Sequence, residues 1–170
     1  MSVGLSSLQQ PPGEFSCFHS LTKGRLEKEE VFADLERTVS TGMDAYEIIV
    51  GADSQQRRSS TSFALVISLI RIGKGGTFFY RTFQERRLSS LQQRIYQEAF
   101  YALGLATELR EYLHSRMIHV PIRLHFDIGI NGPTRKFIHN LLHVAKANNF
   151  EAEIKPDSFC ASTIADMFTK

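Results

Sequence analysis

The sequence predicts an α/β protein built on one mixed sheet with helices on both faces. Three β-rich segments follow one another, and helical and β-rich segments then alternate to the end of the chain. Consecutive strands followed by alternating helices and strands indicate a mixed sheet covered by helices. The 170 residues suffice for one domain with a substantial core.

The first predicted element is a helix over 23–42, which precedes the sheet. Residues 1–14 are polar and interrupted by proline and glycine, so we expect a loosely ordered segment there and a single domain over 15–170. Gly42 is suited to end the helix. Apolar residues recur at nearly helical spacing, namely Leu26, Val31, Leu35 and Val39.

Three strands are predicted next, over 46–52, 62–73 and 76–84. The first is apolar and rich in β-branched residues, which is typical of a buried strand. The second and third are separated by Lys74-Gly75, which predicts a hairpin. From residue 46 onward the predicted order is β-β-β-α-β-α-β-α. After the three strands come a helix over 88–116, a strand over 122–129, a helix over 133–149, a strand over 150–156 and a helix over 159–170.

Composition and charge narrow the function classes only slightly. The chain is 42% hydrophobic and 22% charged, and its net charge of +2 neither requires nor excludes nucleic-acid binding. Its longest apolar stretch, 63–70, is too short to span a membrane, and its N-terminus does not resemble a secretory signal. We therefore expect a cytoplasmic protein without a membrane partner, with Cys17 and Cys160 reduced.

Two aspartates are predicted at the carboxyl ends of neighbouring strands. Asp53 follows strand 46–52, and Asp127 lies near the end of strand 122–129. These strands are expected to be parallel neighbours, and sites in open α/β sheets gather beyond the carboxyl ends of strands. A turn-forming role is the alternative for either residue.

Glu98 interrupts the apolar seam of the helix over 88–116. The other seam positions, at alternating steps of three and four, are Leu91, Ile95, Ala102, Leu105 and Leu109. A carboxylate on a core-facing stripe costs several kcal/mol unless a cation or hydrogen-bond donors compensate it. A buried salt bridge, or a side chain that reaches solvent, is the alternative.

A fourth acid is expected from the last helix. Asp166 lies beside its apolar face, and Asp157 is the rival, although Asp157 and Ser158 are also suited to starting that helix. Four converging carboxylates cannot all ionise without cations, and hard oxygen ligands favour Mg²⁺ or Mn²⁺. Two such ions can promote phosphodiester hydrolysis.

Substrate-binding residues are expected around the first strand end. Arg57 and Arg58 lie in a locally basic stretch and are suited to contact phosphates, and Gln55 is suited to orient a base or sugar. His125 shares a strand face with Asp127 and is a candidate for proton transfer or product release. For Arg57 and Arg58 the alternative is scattered surface charge. For Gln55 it is a role in a turn, and for His125 it is an ordinary position in a strand.

Five segments carry a resemblance to a known family. The chain resembles the ribonuclease H-like fold and, more closely, the bacterial YkuK-type family of uncharacterised proteins, over about 15–170. Ala52 departs from the threonine expected there. The segments are KGRLEKEEVFADL, IIVGADSQ, IGKGGTFFYRT, HFDIGINGPTRKFI and IKPDSFCASTIADMFTK.

The resemblance implies a metal-dependent nuclease-like domain. By position, Asp53 matches the acid of the first strand, Glu98 that of the first helix, Asp127 that of the fourth strand and Asp166 that of the closing helix. One fold hosts many functions, so a module that binds nucleic acid or protein without cutting stays open. Phosphate chemistry on nucleotides is a third class, but DSQQ lacks the glycine expected in such a loop.

Overall fold

The computed structural model describes residues 17–158, which contain seven strands and three α-helices. The seven strands form one sheet in the order β2-β1-β5-β4-β3-β6-β7. In chain order the elements are β1 (Cys17–Ser20), β2 (Gly24–Glu27), α1 (Lys28–Thr41), β3 (Tyr46–Gln56), β4 (Ser60–Arg71), β5 (Gly75–Arg86), α2 (Leu91–His114), β6 (Ile122–Gly129), α3 (Ile138–Ala147) and β7 (Glu151–Lys155).

The sheet is mixed, as the sequence predicts. Strands β3, β4 and β5 pair antiparallel in chain order. β6 then joins the other side of β3 in parallel, and β7 joins β6 in parallel. The predicted parallel neighbours are therefore confirmed, and the mixed-sheet α/β fold class with them. The three described α-helices all pack on one face of this sheet, so helices on both faces stay a prediction. The final helix predicted over 159–170 lies outside the described residues.

The N-terminal helix is shorter than the prediction over 23–42. Gly24–Glu27 forms an edge strand that pairs antiparallel with Cys17–Ser20. The helix begins only at Lys28, because Glu27 and Glu30 form reciprocal side-chain-to-backbone hydrogen bonds at its start. Gly42 ends the helix as predicted. A short hairpin is thus added to the edge of the sheet.

Strand β3 runs four residues beyond the predicted end at residue 52. Its pairing with β4 continues from Asp53, opposite Ala64, to Gln56, opposite Thr61. On its other side the pairing with β6 ends at Gly51 and His125. The prediction that a strand ends at Asp53 is therefore wrong. Asp53 lies within β3, just beyond the point where the pairing of β3 with β6 ends.

The remaining elements follow the predictions with small differences. β6 has the predicted bounds, and the β4–β5 hairpin turns through residues 72–74. Gly73 within the turn and Gly75 directly after it have φ of 77° and 91°, a backbone region that favours glycine. The helix predicted over 133–149 instead starts with a 3-10 turn, Arg135–Phe137, and α3 ends at Ala147.

The main core lies on one face of the sheet. All three described α-helices contribute buried apolar side chains to it. The opposite face carries a smaller cluster in which Ile49 and Val66 are buried. None of the helices within residues 17–158 is both long and apolar enough to cross a membrane.

Helix α2 is fixed at its start by Ser90. The Ser90 side chain accepts a hydrogen bond from the Gln93 backbone N–H, and the Gln93 side chain accepts one from the Ser90 backbone N–H. This reciprocal pair satisfies two of the helix's unpaired donors. It also fixes the start of the helix that carries Glu98.

We predict that Ser90→Ala lowers the free energy of unfolding by about 1 kcal/mol, because it removes the N-cap acceptor. Ser59→Ala, in the exposed β3–β4 turn, is the control and is expected to change it by less than about 0.5 kcal/mol. Urea unfolding of both variants measures the difference. Equal effects at the two positions would show that the cap does not stabilise the helix.

Candidate carboxylate site at the carboxyl end of the sheet

Glu98 lies on the core side of α2, as its place in the apolar seam predicts. Its neighbours Ile95, Ala99 and Ala102 on the same helix are buried. Ser54 of β3 donates a hydrogen bond from its hydroxyl to Glu98 Oε1 at 2.5 Å. The side chain therefore points at the sheet, where β3 extends beyond its pairing with β6.

The surroundings of Glu98 disfavour its charged form. Burial of the carboxyl group is the main cause that raises the pKa of Glu98 to about 8, and the charges of Asp53 and Asp127 raise it further. The Ser54 hydrogen bond and Arg94 act in the opposite direction. By solvent accessibility the residue as a whole is half-buried. Without a cation, Glu98 is largely protonated at neutral pH.

Asp53 and Asp127 occupy equivalent places on the two separating strands. Each lies two residues beyond the last β3–β6 pair, Gly51 and His125. Side chains two residues apart point to the same face of a strand, so Asp53 shares the face of Gly51 and Asp127 shares the face of His125. Both are half-buried. The parallel register thus brings both acids to the same end of the sheet, where their charges act on Glu98.

Asp127 forms an ion pair with Lys155 at the end of β7. Lys155 Nζ lies 2.8 Å from Asp127 Oδ1. The same oxygen is buried and accepts no hydrogen bond of good geometry within the part of the chain that the structure describes. The contact is therefore electrostatic. Asp127 and Glu98 also line one small cavity together with Ala52, Ile95, Ala99, Phe126, Ile128 and Leu141.

The acids share one region but do not form a closed cage. Within residues 17–158, no three His, Cys, Asp or Glu side chains are close enough together to hold a metal ion. Asp166, the expected fourth acid, lies outside the described residues. Its rival Asp157 is exposed in the turn after β7, where its N–H donates to the Ile154 carbonyl at 2.9 Å. The metal-binding roles of these residues remain predictions.

The predicted substrate-binding residues differ in accessibility. Arg57 and Arg58 are exposed in the β3–β4 turn, whereas Gln55 is half-buried. His125 is only 3% exposed, so it lies inside the protein rather than on a surface that a substrate reaches. Burial, and secondarily Arg123, lowers the pKa of His125 to about 4, which keeps it neutral at physiological pH.

Exposed or half-buried arginines without ion pairs gather at the same end of the sheet. Arg58 lies in the β3–β4 turn, Arg86 and Arg87 end or follow β5, and Arg94 is in the first turns of α2. None of these four pairs with an acid among residues 17–158. At the opposite end, Lys74 is paired with Asp44 at 2.6 Å. We call the four residues the arginine group: Arg58, Arg86, Arg87 and Arg94.

Sequence reasoning missed Ser54 and Lys155. Ser54 could have been found, because strand alternation places it on the face of Ala52. The place of Lys155 depends on the register of β7, which aligns Lys155 with Gly129 across an irregularity between His125 and Gly129. No local pattern in the sequence indicates that irregularity.

Comparisons with known proteins agree with this architecture. The family described as ribonuclease H-like matches residues 30–170. The uncharacterized protein YkuK of Bacillus subtilis (strain 168) is 28% identical over an alignment 166 residues long, and the match covers 90% of this chain and 96% of that protein. Both matches confirm the resemblance expected from the sequence.

Two solved structures are also similar. RNase H1 from the halophilic archaeon Halobacterium salinarum NRC-1 is 14% identical, with 65% of this chain and 86% of that chain covered and a TM-score of 0.39. The N-terminal RNase H domain of a Mycobacterium tuberculosis protein is 9% identical, with 72% and 96% covered and a TM-score of 0.33.

We predict that the stability of the metal-free protein falls as pH rises from about 6.5 to 8. The folded protein keeps the Glu98 proton up to about pH 8, whereas the unfolded chain loses it near 4.5. The folded state then binds more protons, so stability decreases with pH by up to about 1.4 kcal/mol per unit. The lowered pKa of His125 has the opposite effect on stability. It acts only between about pH 4 and 6.5, since the His125 pKa is about 4 in the folded protein and 6.5 in the unfolded chain.

Urea unfolding in chelator at several pH values measures this slope. Glu98→Gln removes the titrating group with little change in shape, so we expect a flatter profile and, at pH 8, stability equal to or above that of the parent. A parent profile that is flat between pH 6.5 and 8, or an equal slope in the variant, would contradict the assignment.

Proposed function

The chain belongs to the ribonuclease H-like family, and from that premise we propose that it hydrolyses phosphodiester bonds of nucleic acid with Mg²⁺ or Mn²⁺. The observation that carries the proposal is the buried Glu98 carboxyl group, whose pKa is raised by burial and by Asp53 and Asp127. Perturbed acids grouped at the carboxyl end of a sheet are typical of functional sites.

The chemistry of the residues fits a divalent cation. Carboxylate oxygens are the ligands that Mg²⁺ and Mn²⁺ prefer. Asp127 Oδ1 is a buried acceptor that faces Lys155 Nζ at 2.8 Å but receives no hydrogen bond of good geometry from the described residues, and Glu98 needs positive charge to ionise at neutral pH. Asp53, Glu98 and Asp127 would hold the metal, with Asp166 as the fourth ligand that its family position implies. The ions would supply activation of the attacking water and charge compensation at the leaving oxygen.

The chain's own residues would prepare the site and hold the substrate. Ser54 orients the Glu98 carboxyl group through its hydrogen bond. Arg57 and the arginine group would contact backbone phosphates beside the acids, since arginine binds phosphate oxygens in bidentate geometry. Gln55, half-buried next to the acids, would orient a base or sugar. We place this activity in the cytoplasm and in one domain over 15–170.

A non-catalytic module that binds nucleic acid or protein is the second candidate. It is favoured by the Lys155–Asp127 ion pair, which compensates one acid without any metal. The two candidates share the arginine group but differ in their need for ionised acids. Cleavage therefore separates them.

We predict that Asp53→Asn and Asp127→Asn each abolish Mg²⁺- or Mn²⁺-dependent cleavage while the protein stays folded. The physical reason is that a neutral amide is a far weaker metal ligand than a carboxylate. Cleavage of labelled single-stranded, double-stranded and hybrid nucleic acids measures the loss. Asp44→Asn, at the opposite end of the sheet, is the control and should keep parental activity.

The same variants distinguish the second candidate. In a binding module, both substitutions would leave affinity for nucleic acid unchanged or raise it, because they remove repulsion of phosphates. If the parent protein cuts none of these substrates with either metal, yet binds one of them, the hydrolase proposal is contradicted and the binding module is supported.

We predict that the double variant Arg58→Ala with Arg87→Ala weakens nucleic-acid binding and flattens its salt dependence. Each lost phosphate contact should reduce the slope of log K against log salt by about 0.7 to 0.9. Titrations at several salt concentrations measure it. The charge-matched control is Lys74→Ala with Lys146→Ala; an equal change in this control would show that only net charge matters.

A further inference from the structure

Lys155 brings a positive charge to the acidic site from the edge of the described sheet. It is the last residue of β7, aligned with Gly129 of β6, two residues after Asp127. Its side chain is 52% exposed, whereas that of Asp127 is 18% exposed. The ammonium group therefore reaches from solvent to a largely buried carboxylate.

The contact uses an oxygen that a cation would also use. Lys155 Nζ lies 2.8 Å from Asp127 Oδ1, which accepts no hydrogen bond of good geometry from residues 17–158. A divalent ion that takes the lone pair now facing the ammonium group has to displace that group, and two positive charges at one carboxylate oxygen also repel each other.

We propose that Lys155 is a built-in competitor for the metal: its ammonium group neutralises Asp127 in the metal-free protein and must leave Oδ1 when Mg²⁺ or Mn²⁺ binds. Lys155 thereby sets the metal concentration at which the site loads. This inference rests on the metal site proposed above. The half-exposed side chain lets the ammonium group return to solvent at little cost.

The experiment is calorimetric titration of the metal-free full chain with Mg²⁺ and with Mn²⁺ at fixed ionic strength. We expect Lys155→Gln to bind either ion about fivefold more tightly than the parent, because no partly buried ion pair has to break. Lys74→Gln is the matched control. It removes a similarly exposed lysine from an ion pair with Asp44 at the other end of the sheet, and it should bind metal as the parent does.

The results distinguish the competitor from the metal site itself. Equal affinities of the parent and Lys155→Gln would overturn the competitor and leave the metal site standing. If neither protein binds Mg²⁺ or Mn²⁺, both the competitor and the metal site are contradicted. Weaker metal binding together with a lower melting temperature in Lys155→Gln would show a structural role instead and would also overturn the competitor.

A measurement on the parent alone tests the same inference without a variant. The Lys155 side-chain carbon next to the amine should change its NMR chemical shift when Mg²⁺ saturates the protein, because its ion pair breaks. The corresponding Lys74 carbon should not. A Lys155 signal that stays constant at saturating Mg²⁺ would overturn the proposal.

Discussion

Burial of the Glu98 carboxyl group beside two aspartates is the constraint to which the rest of the site responds. An isolated buried carboxylate is expensive, and like charges nearby add to the cost. The protein offsets this cost by a hydrogen bond from Ser54 and by Arg94, while Lys155 compensates Asp127. These groups reduce the strain but leave Glu98 protonated near neutral pH, so the site is suited to receive further positive charge.

The fold creates this constraint through the different pairing on the two sides of β3. β4 pairs with β3 as far as Gln56, whereas β6 leaves it after Gly51. Asp53 and Asp127 lie just beyond the last pair of these strands, and Glu98 reaches the same place from the N-terminal half of α2, where it contacts Ser54 and shares a cavity with Asp127. The same end of the sheet carries the arginine group, so acids that attract cations lie beside side chains that attract phosphates. A nucleic acid bound there would bring its backbone to the acids.

Periodicity and chain order were sufficient to predict the central architecture. Helical spacing placed Glu98 on the core side of α2, and the order of elements made β3 and β6 parallel neighbours, which brought Asp53 and Asp127 to the same end of the sheet. Local patterns could not predict contacts that depend on distant pairing. The four extra residues of β3 follow from its long ladder with β4, and the Lys155–Asp127 contact follows from an irregular register. Leu26 roughly continues the helical spacing of Val31, Leu35 and Val39, yet capping at Glu27 starts the helix only at Lys28.

The central claim is that these acids form a cation site, and anomalous diffraction from a crystal of the full chain soaked in Mn²⁺ tests it most directly. The predicted result is one or two anomalous peaks bounded by Asp53, Glu98 and Asp127, with Lys155 Nζ displaced from Asp127 Oδ1. Crystals soaked in Mg²⁺ serve as the control and should show no anomalous signal there. Fully ordered acids without a Mn²⁺ peak, and with the Lys155–Asp127 ion pair intact, would contradict the claim.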